Sequence, residues 1–292
     1  MRIHADDFGI CEQQAKAILN LSSSRNGKGT LNSISIFANS PYFIDSCKLI
    51  QPFVQRNEIA LSLHINLVEG PSSCADANTI PILVDKRGMF KNNFATLLLL
   101  SLSPYRKQLY RAIVKECSAQ INHYLKVFPE QRTKLSLDTH QHVHAIPLVL
   151  DALLASVSAC QANLVRMRIP TENLSVYKNA GILSEVSWQN RLKIRVINFL
   201  CKKAPEKIPS TCSIPLFCGV GLSGKMYKIN QLLIDELNHK ATQEGKDLEL
   251  LFHPVSVPIH QCLDPHNKPF ARACASIDRD KEAQKLLEIR IT

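Results

Sequence analysis

Apolar and polar positions follow two rhythms along the chain. Seven short runs, MRIHA (1–5), LNSISIFA (31–38), IALSLHINL (59–67), KLSLD (134–138), NLVRMRI (163–169), SIPLF (213–217) and LELLF (248–252), alternate or are almost wholly apolar, which predicts strands. Between them CEQQAKAILNLSSS, YFIDSCKLIQPF, YRKQLYRAIVKECSAQINHYLKVF, IPLVLDALLASVSA, RLKIRVINFLCKK and INQLLIDELNHKATQEG repeat apolar residues every three or four positions, which predicts helices. Strands alternating with helices imply a parallel sheet with crossover helices. The expected fold class is therefore α/β, a distorted (β/α) barrel of about seven parallel strands with its site at their C-terminal ends.

Two stretches depart from the rhythm. VEGPSSCADANTIPILVDKRGMFKNN reads as an irregular insertion, placing a loop at about 66–103, where α/β folds build their sites. From 255 to 292, prolines and histidines give way to a charged helix, expected to be a tail packed on the barrel surface. With no internal repeat and no Gly/Ser or Pro linker, one domain over 1–292 is expected. At 292 residues and 45% apolar, the chain has material for one large core.

Charge adds a preference for anions. The 35 Lys and Arg against 25 Asp and Glu give a net +10, which suits phosphate, nucleic acid or an acidic membrane and selects none of them. No specific nucleic-acid partner is expected; peripheral membrane contact and homo-oligomerisation stay open. The ten cysteines are scattered without a CxxC pair, as small buried hydrophobes in a reducing compartment would be. MRIHADDFG has no apolar signal core and FATLLLLSL is too short to span a bilayer, so a soluble cytoplasmic protein is expected.

The unusual polar residues fall where the predicted strands end. Asp6 and Asp7 follow the first, His64 and Asn66 close the third, Asp138 and His140 follow the fourth, Arg166 and Arg168 end the fifth, and His253 follows the seventh. In a parallel barrel these ends converge on one face. Alone, the Asp pair is as readily a charge at a helix N-terminus, and His64 a core histidine. Together they allow an open site of two histidines and one carboxylate, holding a divalent cation that polarises a carbonyl and acidifies water. His253, before Pro254, is either a strand terminus or a general acid, and Arg166 either a solvated strand end or a carboxylate-orienting group. In LDTHQHVHAIP (137–147), an extended chain would set His140, His142 and His144 in one row.

Two motifs are read as bystanders. GVGLSGK (219–225) matches GxGxxG, but the next strand ends in His253 and not in an acid that could hold a ribose, so a flexible substrate-side loop is expected instead of a cofactor site. WQNRLKIRVINFLCKK gathers Trp188, Leu192, Val196, Phe199 and Leu200 on one face, expected to pack on the barrel with the basic residues solvated. Helices of this kind less often dock on acidic membranes or anionic substrates.

In ADDFG (5–9), LHINLVEGP (63–71), LDTHQHVHAIP, VRMRIP (165–170) and LLFHP (250–254), taken in order across residues 1 to about 256, the sequence resembles the YdjC-like carbohydrate deacetylase family. That resemblance implies a (β/α) barrel with a divalent metal on Asp7, His64 and His140, Asp6 as general base and His253 as acid. Magnesium is the metal usually assigned to the family, although two imidazoles suit zinc better. The implied reaction is hydrolysis of an N-acetyl group on an amino sugar, in an oligosaccharide, nucleotide-linked or lipid-linked, releasing acetate. His4, Asn66, Asp138, His142, His144 and Arg166 are then expected to contact substrate or to steady the ligands, as by fixing a histidine tautomer. The sequence departs from the family at His4, where Asn is common, at Ser62, where Gly is usual, and at Gln141, which interrupts a histidine run. A non-catalytic sugar- or polyanion-binding barrel, or a metal-dependent hydrolase of another amide or acyl bond, are the competing readings.

Overall fold

A computed structural model describes residues 1–289 of the protein. Its strands are β1 (Arg2–Phe8), β2 (Ser33–Ile36), β3 (Ala60–Ile65), β4 (Leu135–Thr139), β5 (Leu164–Met167), β6 (Leu216–Cys218) and β7 (Leu248–Phe252). All pair in parallel, in the order β5-β4-β3-β2-β1-β7-β6. The sheet curls into a half-barrel whose edges touch: Ser213, leading into β6, exchanges backbone hydrogen bonds of 2.8 and 3.0 Å with Val165 and Met167 of β5.

Period-two alternation decides what each face holds. Ile3, Ala5, Ile34, Ile36, Leu61, Leu63, Leu135, Leu137, Leu248 and Leu250 join the apolar core that the helices cover. The intervening residues His4, Asp6, Ser33, Ser35, His64, Asp138, Arg168 and Glu249 bond to one another across strands. The inside of this barrel is thus polar. The helices are α1 (Glu12–Asn20), α2 (Phe43–Gln55), α3 (Phe94–Ser101), α4 (Arg106–Val127), α5 (Pro147–Ala159), α6 (Leu174–Asn179), α7 (Trp188–Leu200), α8 (Ala204–Lys207), α9 (Gln231–Gln243), α10 (Lys268–Cys274) and α11 (Ile277–Glu288). Among the described residues, none is long and apolar enough to cross a membrane.

Three expectations need correcting. The face of α7 expected to pack inward is turned to solvent: Trp188 is 71% exposed, Leu192 52% and Phe199 78%, while Asn190, Ile194 and Ile197 are buried. Polar anchors set this rotation, because Asn190 donates to Gly221 O and Arg191 donates to the carbonyls of Val186 and Leu183. The GVGLSGK loop is not loose. The buried Glu172 carboxylate accepts the N–H groups of Gly219, Val220 and Gly221 at 2.5–2.9 Å, so the anion in this glycine nest is the protein's own. Gly221 has no substitute there, since a Cβ would fall 2.5 Å from the Tyr177 ring.

The segment after 255 is more than a surface tail. Val257, Cys262, Leu263, Phe270 and Cys274 form a second apolar cluster with Ile10, Cys11 and Phe37, from the chain just beyond β1 and β2. It therefore walls the mouth of the barrel. Residues 290–292 of the expected tail lie outside the described residues. The insertion is pinned at its base by Glu116 of α4, which accepts from Ser72 Oγ and the N–H groups of Ser73 and Cys74.

Candidate metal centre

The site begins with an irregularity in β1. Alternation sends His4 and Asp6 into the barrel and would send Asp7 out, but Asp7 adopts φ +63° and the pairing with β2 slips between Ala5 and Phe8. A left-handed residue in a bulge re-aims its side chain, and Asp tolerates that conformation better than most. Gln14 of α1 donates to Asp7 O at 2.9 Å and holds the kink. Both carboxylates consequently reach the mouth.

His64, near the end of β3, bonds through Nδ1 to Asp138 and, at 3.1 Å, to Ser35 Oγ. A carboxylate on Nδ1 fixes that nitrogen as a donor and leaves Nε2 to offer its lone pair to a cation once its own proton is displaced. Nε2 lies 3.6 Å from Asp7 Oδ1, and His140 Nδ1 lies 3.0 Å from the same oxygen. Asp7, His64 and His140 offer donor atoms within 4.8 Å of one another, and Asp7 Oδ1 and His64 Nε2 are buried without a hydrogen-bond partner. Donors sharing one cation at about 2.0–2.2 Å lie roughly 3–3.6 Å apart, and the two distances from Asp7 Oδ1 match that spacing. Phe37 packs edge-on against both imidazoles, with ring centroids at 4.9 and 5.1 Å, and Phe270 against His140 at 5.3 Å.

Behind this trio, Arg168 grips Asp6 at two points, 2.8 and 2.9 Å, and donates through Nε to Glu249 at 2.6 Å. Ser35 Oγ donates to Asp6 Oδ1 at 2.9 Å and His4 Nε2 lies 3.1 Å from it, whereas Oδ2 looks towards His64 Nε2 at 4.0 Å. Burial alone would raise the Asp6 pKa, but Arg168, His64 and His4 hold it well below the usual carboxylate range. Asp7 behaves likewise: His140 and Arg279 outweigh its burial, with Arg279 Nη2 at 2.6 Å. Burial would lower the His64 pKa, yet Asp6 and Asp138 raise it to about 10. A cation must displace that proton, so its binding weakens in acid.

Other residues singled out in the sequence take different places. The row of three histidines does not form, because the chain leaves the strand at His140 and Gln141 and His142 turn left-handed, at φ 51° and 55°. His144 bridges Thr139 Oγ1 and the carbonyl of Arg168 at 2.5 and 2.7 Å, a brace for the turn. His142 packs edge-on against Phe217, and burial and Arg168 hold its pKa well below the ordinary value. Asn66 is wholly buried and shapes its own loop, accepting from the N–H groups of Val68 and Glu69. Arg166 is not brought to the site. It pairs with Asp247 and Glu249 at 2.9 and 3.2 Å, one layer deeper, and Arg168 holds the position at the mouth. His253 is half-buried at the mouth, and burial, opposed by Asp7 and Asp6, lowers its pKa to about 4.

Several participants escaped the sequence reading. Glu249 carried a signal, a single acid inside an otherwise apolar buried strand that needs a partner. Arg279 carried none, nor did Glu69, which accepts from Gln141 and Asn267 at 2.8 and 2.6 Å and ties the histidine turn to the final segment. Glu282 accepts the N–H groups of His253 and Met226 at 2.6 and 3.0 Å, yet burial prevails and lifts its pKa from 4.5 to about 7. A raised folded-state value means stability that is full below about pH 4.5 and lost as pH rises through about 7. Glu282→Gln is expected to flatten that fall by on the order of 2–3 kcal/mol, read from urea midpoints across this range. Parallel slopes for the two proteins would show that Glu282 is not the titrating group.

Fold and donor set together define a (β/α) half-barrel protein with a candidate divalent-cation centre at its mouth. Residues 1–289 match the YdjC-like protein family, and the chain belongs to it. A carbohydrate deacetylase of Xenopus laevis is 27% identical over 145 residues, 50% of this chain and 43% of that one. One of Mus musculus is 27% identical over 171 residues, 58% and 50% respectively. The chain spans about half the length of these curated relatives in the matched regions. The crystal structure of an Enterococcus faecalis protein, named for cellobiose-phosphate cleavage, shares the fold with a TM-score of 0.61 at 17% identity, over 98% of this chain and 89% of its own.

Proposed function

We propose that the protein is a metal-dependent deacetylase that hydrolyses the N-acetyl group of an amino sugar, releasing acetate and a free amine. The observation that carries this reading is Asp6 beside the donor trio: Arg168 grips both carboxylate oxygens, Ser35 also donates to Oδ1, and Oδ2 faces His64 Nε2 at 4.0 Å. The relatives named carbohydrate deacetylases support the substrate class. Asp7, His64 and His140 would hold the cation, and two imidazoles with one carboxylate favour zinc over magnesium. Such an ion, when bound, polarises an amide carbonyl and acidifies water.

The remaining chemistry belongs to the side chains. Arg168 prevents Asp6 from rotating, so Oδ2 is positioned to take a proton from an attacking water. His253, with a pKa of about 4, is neutral at pH 7. The proton that the departing nitrogen receives is therefore the one Asp6 takes from the water, and His253 can only relay it. Phe37 and Phe270 keep water from the flanks of the imidazoles. Ten free cysteines among the described residues support a reducing compartment such as the cytoplasm.

The test is acetate release from N-acetylated oligosaccharides, nucleotide sugars and lipid-linked sugars, with and without zinc or magnesium. Release from at least one class, stopped by a chelator and restored by metal, is expected. Sugar binding with no acetate released under any metal would leave a binding protein in place of the enzyme.

A further inference from the structure

The outward-turned face of α7 meets a second exposed apolar segment across a groove. On α7, Trp188, Leu192, Val196 and Phe199 stand at i, i+4, i+8 and i+11, within an arc of about 80° at helical pitch. Across the groove, at the junction of α3 and α4, Leu99, Leu102 and Tyr105 project, Leu102 being 78% exposed. The groove encloses about 1220 Å³, with Leu98, Leu148 and Phe199 among its apolar walls and Arg106, Lys107, Arg111 and Arg195 around them. Of the described side chains that line it, Asp151 alone is acidic, and Lys207 neutralises it.

The charge of the two walls is one-sided. From Leu98 to Lys115 stand Arg106, Lys107, Arg111 and Lys115 with no acid, and α7 carries Arg191, Lys193 and Arg195 with no acid. Large apolar side chains that stand clear of the surface, interleaved with Arg and Lys and including a Trp, are the composition of a protein face that lies in a membrane interface. An isologous contact with a second copy would set this basic surface against itself. A closed pocket for a partner helix would bury its anchors, whereas Trp188, Leu102 and Phe199 are each more than two-thirds exposed.

We propose that this face docks the protein on an anionic membrane surface, the apolar tips entering the headgroup region and the Arg and Lys side chains meeting lipid phosphates. The docking surface uses none of the residues of the metal centre and stands or falls independently of the deacetylase reading.

Trp188 is the sole tryptophan and reports the event directly. The full chain is mixed with phosphatidylcholine vesicles, with or without about 30 mol% phosphatidylglycerol, and followed by co-sedimentation, Trp emission and quenching by brominated lipid. Co-sedimentation confined to the anionic vesicles, weakened by salt and accompanied by a blue shift and quenching, is expected. Leu102→Ser with Phe199→Ser should weaken binding about tenfold or more. Arg106→Glu, Arg111→Glu and Arg195→Glu together should weaken it roughly a hundredfold. All these positions lie on the surface, and circular dichroism checks that each variant is folded. Equal binding to neutral vesicles, unmoved Trp188 emission, or full binding by the Leu102/Phe199 variant would overturn the proposal. So would a dimer in solution that Phe199→Ser dissociates, because the apolar face would then be occupied by a second copy.

Discussion

Replacing Asp6 by asparagine is expected to lower kcat for acetate release about a thousandfold while leaving metal affinity within several-fold of the parent protein. Asn preserves the shape and can still accept from Ser35 and from Arg168 Nη2, while its amide NH2 replaces the oxygen that accepts from Arg168 Nη1 and costs that one hydrogen bond. Arg168 keeps Glu249 at 2.6 Å and Asp138 at 3.4 Å, and is not left as an unpaired buried charge. What is lost is the anionic oxygen facing His64, which no neighbour can replace. Titration calorimetry with zinc beside steady-state acetate assays separates the two effects. Equal loss of metal binding and turnover would make Asp6 a ligand and remove it as the base.

His140→Ala should abolish metal-dependent turnover and weaken zinc binding by at least about a thousandfold, because it removes one of three protein donors. His64 and Asp7 remain, but two donors with a nearby guanidinium on Asp7 make a poor site. His142→Ala is the informative companion. Its ring lies two residues away in sequence but packs on Phe217, outside the donor trio, so metal affinity should change little and activity far less than in His140→Ala. Matching losses of zinc binding in the two variants would mean that the histidine turn binds metal as a unit and that His140 has no special position.

Much of this arrangement is legible in the sequence, for definite reasons. Each strand announces itself by alternation or apolarity, and a parallel barrel gathers all C-terminal strand ends on one face, so Asp7, His64 and His140 meet although 133 residues separate the first from the last. Asp138 could be anticipated as a tautomer-fixing partner because it lies level with His64 across the β3–β4 pairing. The choice between Arg166 and Arg168 could not be read. Two residues apart, they share the interior face, and which one reaches the mouth depends on the stagger of β5 against β4, where the register slips. Arg279 lies 272 residues from Asp7, and nothing local to α11 points there. The outward face of α7 was misread because apolar spacing shows which side chains share a face but not which face polar anchors such as Asn190 and Arg191 will draw inward.

The kink at Asp7 has a consequence for the balance between folding and chemistry. A non-glycine residue held left-handed inside a strand carries strain of about 1–3 kcal/mol, and here its carboxylate must also be balanced by a guanidinium contributed from the far end of the described chain. Glycine would occupy the same backbone conformation without that strain but would supply no donor oxygen. Removing the carboxylate alone would leave the buried Arg279 guanidinium unpaired, so relief of the strain at residue 7 requires a second change at residue 279, and a variant that combined the two for thermostability would disarm the metal centre.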